Sequence, residues 1–116
     1  YYTPILVESL VDAVHELVKK KAQGIFNVVG DDRISKYDFG VLIAKHFDLN
    51  HNLIKSDSIN NRRNLVLRPN NMSLSNHKIK SHYYKFNGDI NDNINRFKIF
   101  EKSINFKILH NINYSW

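Results

Sequence analysis

The chain has 116 residues, 42% of them hydrophobic and 24% charged, which is the composition of one soluble globular domain. It contains neither the ~18-residue apolar run of a membrane-spanning helix nor the pattern of a signal peptide, so we expect no membrane partner. The absence of cysteine excludes disulfides and thiolate metal sites and agrees with a cytoplasmic location, which we predict.

The charge balance is basic, with 17 Lys and Arg against 11 Asp and Glu and a net charge of +6. Such a surplus is common in proteins that bind nucleic acid. Here, however, Lys19, Lys20 and Lys21 close a predicted helix, where positive charge complements the helix dipole. Because the other basic residues are scattered, a nucleic-acid partner is not favoured, and a small basic binding module is kept only as an alternative.

The first predicted elements are a helix over residues 5–21 and a strand over residues 25–29. The helix is predicted from an apolar stripe that we expect to be buried, which is formed by Leu6, Leu10, Val14, Leu17 and Val18. Gly24 interrupts it, and the apolar run Ile25–Val29 is typical of a buried strand in a parallel sheet. Such a strand needs neighbours on both sides. The rest of this chain offers only short candidates, so we predict that the neighbouring strands belong to another part of a longer protein.

Further elements follow the turn Gly30-Asp31-Asp32. Ser35 is predicted to cap a second helix, with Asp38 three residues later, and its buried face is Phe39, Leu42, Ile43 and Phe47. Residues 53–55 and 65–67 are candidate short strands. Residues 73–80 are a candidate short helix, capped by Ser75 or Asn76. A last amphipathic helix carries Ile94, Phe97, Phe100 and Ile104, and residues 105–116 remain unassigned.

Three segments together resemble the extended short-chain dehydrogenases/reductases. They are TPILVESLVDAV (residues 3–14), GIFNVVG with ISKYDF (residues 24–30 and 34–39), and RPNNMSLSNHKI (residues 68–79). Their order and spacing resemble those of sugar-nucleotide reductases of the dTDP-4-dehydrorhamnose reductase type, over about residues 3–82.

The resemblance implies an α/β fold in which this chain is the C-terminal fragment of a Rossmann-type protein. One late parallel strand would belong to residues 1–30, the last helix–strand unit of the dinucleotide-binding sheet. Residues 31–104 would form a small helical substrate-binding lobe, and 105–116 an unassigned tail. The implied reaction is the reduction of a 4-keto-deoxysugar nucleotide with NADPH or NADH.

The chemistry of that family is missing from this chain. Its four glycines stand at 24, 30, 40 and 88 and do not form the pyrophosphate-binding fingerprint. The family's Tyr-x-x-x-Lys pair is also missing, because Tyr37 and Tyr84 are followed at that spacing by Val41 and Gly88. We therefore predict no catalytic residue, no cofactor bound by this segment alone, and no activity without the rest of an oxidoreductase.

Substrate-binding residues are predicted in and before the third segment. The guanidinium of Arg68 offers bidentate donors to a diphosphate, and the resemblance places an arginine of this lobe there. Arg63 and Arg62 compete for the same role, and Asn71 is a candidate for hydrogen bonds to sugar or phosphate. A salt bridge between lobes is the alternative for Arg68, and turn formation is the alternative for Asn71.

Other readings of the sequence are weaker. The histidine pairs His46/His51 and His77/His82 are each five residues apart, which does not match helical metal ligands, so no metal site is predicted. A non-catalytic relative, such as the regulatory subunit of methionine adenosyltransferase, is the main functional alternative. A homodimer is left open.

Overall fold

The computed structural model describes residues 1–61, 66 and 69–102, and these residues form a helical protein. Its α-helices are α1 (Val7–Lys19), α2 (Lys36–His46), α3 (His77–His82) and α4 (Ile90–Glu101), and single 3-10 turns span His51–Leu53 and Ile59–Asn61. Within the described part of the chain there is no strand or sheet, and an isolated antiparallel bridge joins Tyr2 and Ile34. None of its helices is long and apolar enough to cross a membrane.

The predicted Rossmann-type α/β fragment with a parallel strand is therefore wrong. In residues 25–29 the burial alternates, since Phe26 and Val28 pack against the core while Ile25 is 86% exposed. This alternation is the period of an extended chain. No described segment lies alongside to form a ladder, and β-propensity without a partner strand does not make a sheet.

Side chains occupy the place that a neighbouring strand would take. The Lys78 ammonium donates to the carbonyl oxygen of Ile25 at 2.9 Å, and the Asn76 amide donates to that of Val29 at 3.0 Å. The candidate strand at 53–55 is also wrong, because His51–Leu53 is a 3-10 turn. The candidate at 65–67 lies outside the described residues except for Val66.

Helix α1 is confirmed, but only part of its predicted apolar stripe packs inward, namely Leu17 and the half-buried Leu6. Ser9 and Ala13 are the buried residues of α1, whereas Leu10, Val14 and Val18 are exposed. The apolar residues of α1 lie on one side of the helix, but only the edge with Ala13 and Leu17 packs against the central cluster. The small side chains of Ser9 and Ala13 allow the closest approach to the rest of the chain.

Helix α2 starts as its sequence predicts. The Ser35 hydroxyl accepts a hydrogen bond from the Asp38 backbone N–H at 3.0 Å, which caps the first turn. At its other end, α2 contacts α4: the rings of Phe47 and Phe97 lie 5.8 Å apart, and the Lys98 ammonium binds the carbonyl oxygen of His46. A cation there satisfies an unpaired carbonyl and complements the dipole of α2.

The central hydrophobic cluster is small. Ala13, Ile79 and Phe86 are buried, and partly buried apolar residues pack around them: Ile5, Leu17, Phe26, Val28 and Tyr83. The cluster joins residues from the predicted sheet unit (1–30) to residues of the predicted substrate lobe (31–104).

A buried asparagine ties α1 to α4. The side-chain oxygen of Asn93 accepts from the Leu6 N–H at 3.3 Å and the Ser9 hydroxyl at 2.7 Å. Its amide donates to the carbonyl oxygens of Asn87 and Asp89. Every polar atom of this side chain is therefore bonded, as a buried amide requires.

The turn Gly30–Asp32 is bonded to three further parts of the chain. The Gly30 N–H donates to the carbonyl oxygen of Thr3, and the Asp31 N–H to that of Gly88. The Asp31 carboxylate also forms an ion pair with Lys80 at 2.7 Å. This turn fixes the N-terminal segment, and with it one wall of the groove described next.

Candidate functional site: a tyrosine-lined groove

A large concave surface of the described residues is an open groove of about 820 Å³. Segments far apart in sequence meet around it, and we call it the tyrosine-lined groove. Its lining consists of Tyr1, Tyr2, Ser35–Asp38, Ser56–Ile59, Pro69, Asn70 and Met72. All three segments of the family resemblance thus reach this groove or adjoin residues that line it.

Backbone hydrogen bonds hold the N-terminal wall in place. Tyr2 and Ile34 exchange two of them, at 3.1 and 3.0 Å. On the other side, the backbone nitrogen of Tyr1 donates to the carbonyl oxygen of Asn70 at 2.7 Å, and the Met72 N–H donates to that of Tyr1 at 2.8 Å. The two tyrosines are therefore held between the start of α2 and the segment 70–72.

The aromatic rings of this wall are fixed by their neighbours. The Arg33 guanidinium lies 4.0 Å from the ring centroid of Tyr1, a cation–π contact. The ring of Tyr2 packs edge-to-face on Phe39 at 5.8 Å. Burial raises the pKa of the Tyr2 phenol above its ordinary value of 10.0, so this group keeps its proton to a higher pH than an exposed tyrosine does.

The first turn of α2 forms the second wall. Lys36 and Tyr37 are exposed here and line the groove. Asp38 is held locally, because its carboxylate accepts a hydrogen bond from the Ser35 hydroxyl at 2.6 Å. The third wall, residues 56–59, is organised by Asp57, whose carboxylate accepts from the Ser58 N–H at 2.8 Å and from the Asn61 amide at 3.1 Å.

Of the predicted binding residues, the structure describes Asn71 but not the three arginines. Arg68, Arg63 and Arg62 lie outside the described residues, so their role stays a prediction. Asn71 is exposed, and its side-chain oxygen accepts from both the N–H and the hydroxyl of Ser73, at 3.1 and 2.6 Å. That geometry is a local turn, the alternative we considered for Asn71.

Sequence reasoning missed Tyr1, Tyr2, Lys36 and Tyr37 as groove residues. A signal was present for Tyr37, which lies inside the family-like segment ISKYDF, and for Tyr1 and Tyr2, which immediately precede Thr3-Pro4. The sequence did not show that Tyr1 and Tyr2 lie beside Lys36 and Tyr37 in the folded chain.

The lining of the groove has the chemistry of a binding surface. It offers exposed rings for stacking, hydroxyl groups for hydrogen bonds, and the Lys36 ammonium for an anion. In the part of the chain that the structure describes, no three His, Asp or Glu side chains lie close enough to hold a metal ion.

The glycines do not fit a dinucleotide site. A pyrophosphate cradle needs free N–H groups in a glycine-rich turn at a helix N-terminus. Here the N–H of Gly30 is already bonded to Thr3, and an added Cβ at Gly88 would meet Asp31. Gly30 and Gly88 therefore do not form a pyrophosphate cradle.

A second, apolar cavity of about 240 Å³ lies between the N-terminal segment, α2 and α4. Its lining includes Leu6, Phe39, Ile43, Ile94 and Phe97. The Asn93 amide also borders it, but all its polar atoms are bonded within the protein. The cavity is thus a loosely packed part of the interface between α2 and α4.

Searches with protein-family models, against curated proteins and against solved structures find no match to this chain.

Proposed function

We propose that the tyrosine-lined groove binds a nucleotide sugar, and that the chain is the substrate-side part of an NAD(P)-dependent sugar-nucleotide reductase. The observation that supports this most is the convergence on one groove: Tyr1-Tyr2, the segment 34–39 and the segment 69–72 meet there. The first directly precedes the TP motif, and the other two belong to the motifs that resemble the family.

The roles of the groove residues follow from their chemistry. The exposed ring of Tyr37 would stack on the nucleobase, since aromatic faces bind bases of any sequence. The Lys36 ammonium would neutralise phosphate charge. Arg68 directly precedes Pro69, which lines the groove, and would add bidentate hydrogen bonds to the diphosphate. The reduction itself would need cofactor-binding and catalytic residues from beyond this chain, so the chain alone would be inactive.

Isothermal titration calorimetry with dTDP-rhamnose, dTDP, thymidine and inorganic phosphate tests the proposal. We expect saturable binding of dTDP-rhamnose and dTDP, and much weaker binding of phosphate because it cannot stack. Lys36→Ala and Tyr37→Ala should each weaken dTDP binding by about tenfold, or about 1.4 kcal/mol. Arg68→Ala should weaken dTDP binding but leave thymidine binding unchanged.

Lys45→Ala is the matched control, because Lys45 is exposed at the far end of the same helix and does not line the groove. Circular dichroism of each variant checks that α2 is retained. The proposal fails if no nucleotide binds saturably, or if Lys45→Ala reduces the affinity as much as Lys36→Ala does.

A second role, protein binding without catalysis, is favoured by the exposed valines of α1. Nucleic-acid binding is less favoured, because four of the described lysines are already bonded to protein oxygens: Lys20 to Glu16, Lys78 to Ile25, Lys80 to Asp31, and Lys98 to His46 and Asp48. Engaged cations make a poor surface for a phosphate backbone.

A further inference from the structure

Arg33 is an exposed residue beside the tyrosine-lined groove. Its guanidinium lies 4.0 Å from the ring centroid of Tyr1, which lines the groove. Among the residues that the structure describes, this ring is the partner of the guanidinium, and no protein oxygen accepts a hydrogen bond from it. Its N–H donors are therefore open to a molecule bound in the groove.

The acidic residues that precede Arg33 in the sequence are engaged elsewhere. The Asp31 carboxylate pairs with Lys80 at 2.7 Å, and the Asp32 carboxylate accepts a hydrogen bond from the Ile90 N–H at 3.2 Å. Both contacts hold the turn against α3 and α4. Within the described part of the chain, Arg33 is thus left without an acidic partner.

The charges in the groove show why an anion bound there needs a second cation beside Lys36. The described lining carries the Lys36 ammonium against the carboxylates of Asp38 and Asp57. One positive charge against two negative charges does not attract a diphosphate. Arg33, which adjoins this lining through Tyr1, brings the balance to two against two. The two carboxylates also accept hydrogen bonds within the protein, which leaves the two cations to meet a ligand.

Backbone and ring contacts hold Arg33 in place. The next residue, Ile34, exchanges two backbone hydrogen bonds with Tyr2, at 3.1 and 3.0 Å. The backbone of Tyr1 is fixed in turn by its 2.7 Å hydrogen bond to the carbonyl oxygen of Asn70. A guanidinium that already rests on a fixed ring loses less rotamer freedom when it binds a ligand. The contact with the ring also leaves its N–H donors unused.

We propose that Arg33 is a phosphate-binding residue of the tyrosine-lined groove and that the Tyr1 ring positions it. Arg33 and Lys36 together hold the two phosphates of a diphosphate, and the guanidinium forms bidentate hydrogen bonds to one of them. The choice of a diphosphate rests on the nucleotide-sugar function proposed above. The pair of cations adds a selectivity, because a nucleoside monophosphate reaches fewer of these donors than a nucleoside diphosphate does.

A nuclear magnetic resonance titration of the isotope-labelled chain with inorganic pyrophosphate tests the phosphate site without a nucleobase. We expect saturable shifts of the Arg33 Nε–H group and of the Lys36 backbone amide, at higher ligand concentration than dTDP requires. Tyr1→Leu keeps an apolar side chain but removes the ring. It should weaken pyrophosphate binding about threefold, because the guanidinium is no longer held.

Isothermal titration calorimetry with dTDP and dTMP measures the selectivity. Arg33→Ala should weaken dTDP binding about tenfold and dTMP binding only about threefold. Arg33→Lys keeps the charge but loses the bidentate geometry, so its dTDP affinity should fall between those of wild type and Arg33→Ala. Lys45→Ala is the control, because it removes the same charge from an exposed position that does not line the groove. Circular dichroism establishes that the variants retain their helices.

These measurements separate the role of Arg33 from the nucleotide-sugar proposal. If Arg33→Ala leaves dTDP binding unchanged, the role of Arg33 is overturned and the nucleotide-sugar proposal stands. An equal loss in Lys45→Ala and Arg33→Ala also overturns the role of Arg33. Pyrophosphate binding that depends on Arg33, without tighter binding of dTDP, supports the phosphate site and contradicts the nucleotide-sugar proposal. A chain that binds neither ligand overturns both, and an unchanged pyrophosphate affinity in Tyr1→Leu overturns the positioning by Tyr1.

Discussion

The same substitution, Gly→Ala, is expected to have opposite effects at two positions. At Gly30, an added Cβ would overlap the carbonyl oxygen of Pro4, lie 3.1 Å from its carbonyl carbon, and lie 3.3 Å from the carbonyl oxygen of Gly88. At Gly40 in α2, the nearest atom to an added Cβ is a methyl carbon of Ile54 at 3.7 Å, an ordinary van der Waals contact.

The magnitudes follow from what surrounds each site. Backbone atoms cannot rotate away, so Gly30→Ala must displace the N-terminal segment, and we place its cost at the upper end of the roughly 1–3 kcal/mol typical of overpacking. Gly40→Ala relieves the entropic cost of glycine in a helix and should stabilise the protein by about 0.5–1 kcal/mol. The two variants should therefore differ in the sign of their effect.

Urea denaturation at 25 °C, followed by far-ultraviolet circular dichroism, measures both free energies of unfolding. Gly30→Ala is also made in the Gly40→Ala background, so that it is measured in a more stable protein. A neutral or stabilising Gly30→Ala would show that Pro4 does not press on the turn as described, and the wall of the groove that depends on this contact would be misplaced. A destabilising Gly40→Ala would refute the open packing beside Ile54.

Three further predictions concern the core and the groove wall. Asn93→Ala should lower the free energy of unfolding by about 1–3 kcal/mol, because it leaves the part-buried Leu6 N–H without an acceptor; chemical denaturation measures this, and an unchanged midpoint would contradict it. Ile79→Ala should cost about 2–5 kcal/mol and Ile79→Val only about 0.5–1.5 kcal/mol, because Ile79 is fully buried; equal costs in urea titrations would show that the cluster is not packed as described. The raised pKa of Tyr2 means that the folded state holds this proton more tightly than the unfolded state. Its contribution is present below pH 10 and is lost as pH rises through the raised pKa, so wild type should lose stability relative to Tyr2→Phe in alkaline urea titrations, and a parallel decline of both proteins would refute it.

The helices were largely predictable from the sequence, because their signals are local. Ser35 and Asp38 mark the start of α2 through a contact three residues apart, and Asn76 was expected at the start of α3. The Asn76 side chain does not cap that helix, however, since it donates to Val29 and Asp31. The residues next to Asn76 in the sequence do not show that its amide will bind Asp31, which lies 45 residues earlier.

The failures share a physical cause, which is that they depend on tertiary partners. Ile25–Val29 has the composition of a buried strand, but the sequence does not show whether a ladder partner is present, and side chains from α3 take that place. The expected burial of Leu10, Val14 and Val18 in α1 was wrong, because α1 packs through Ser9, Ala13 and Leu17. The groove depends on Tyr1 meeting Asn70, a contact that no local pattern predicts.

The central claim is that the tyrosine-lined groove binds a nucleotide sugar, and a nuclear magnetic resonance titration of the isotope-labelled chain with dTDP-rhamnose tests it most directly. We predict saturable shifts of the backbone amides of Tyr2, Lys36, Tyr37 and Met72, with little change along the exposed side of α1. Shifts that stay absent at millimolar ligand, or that centre on α1 or α4 and spare Lys36 and Tyr37, would contradict the account.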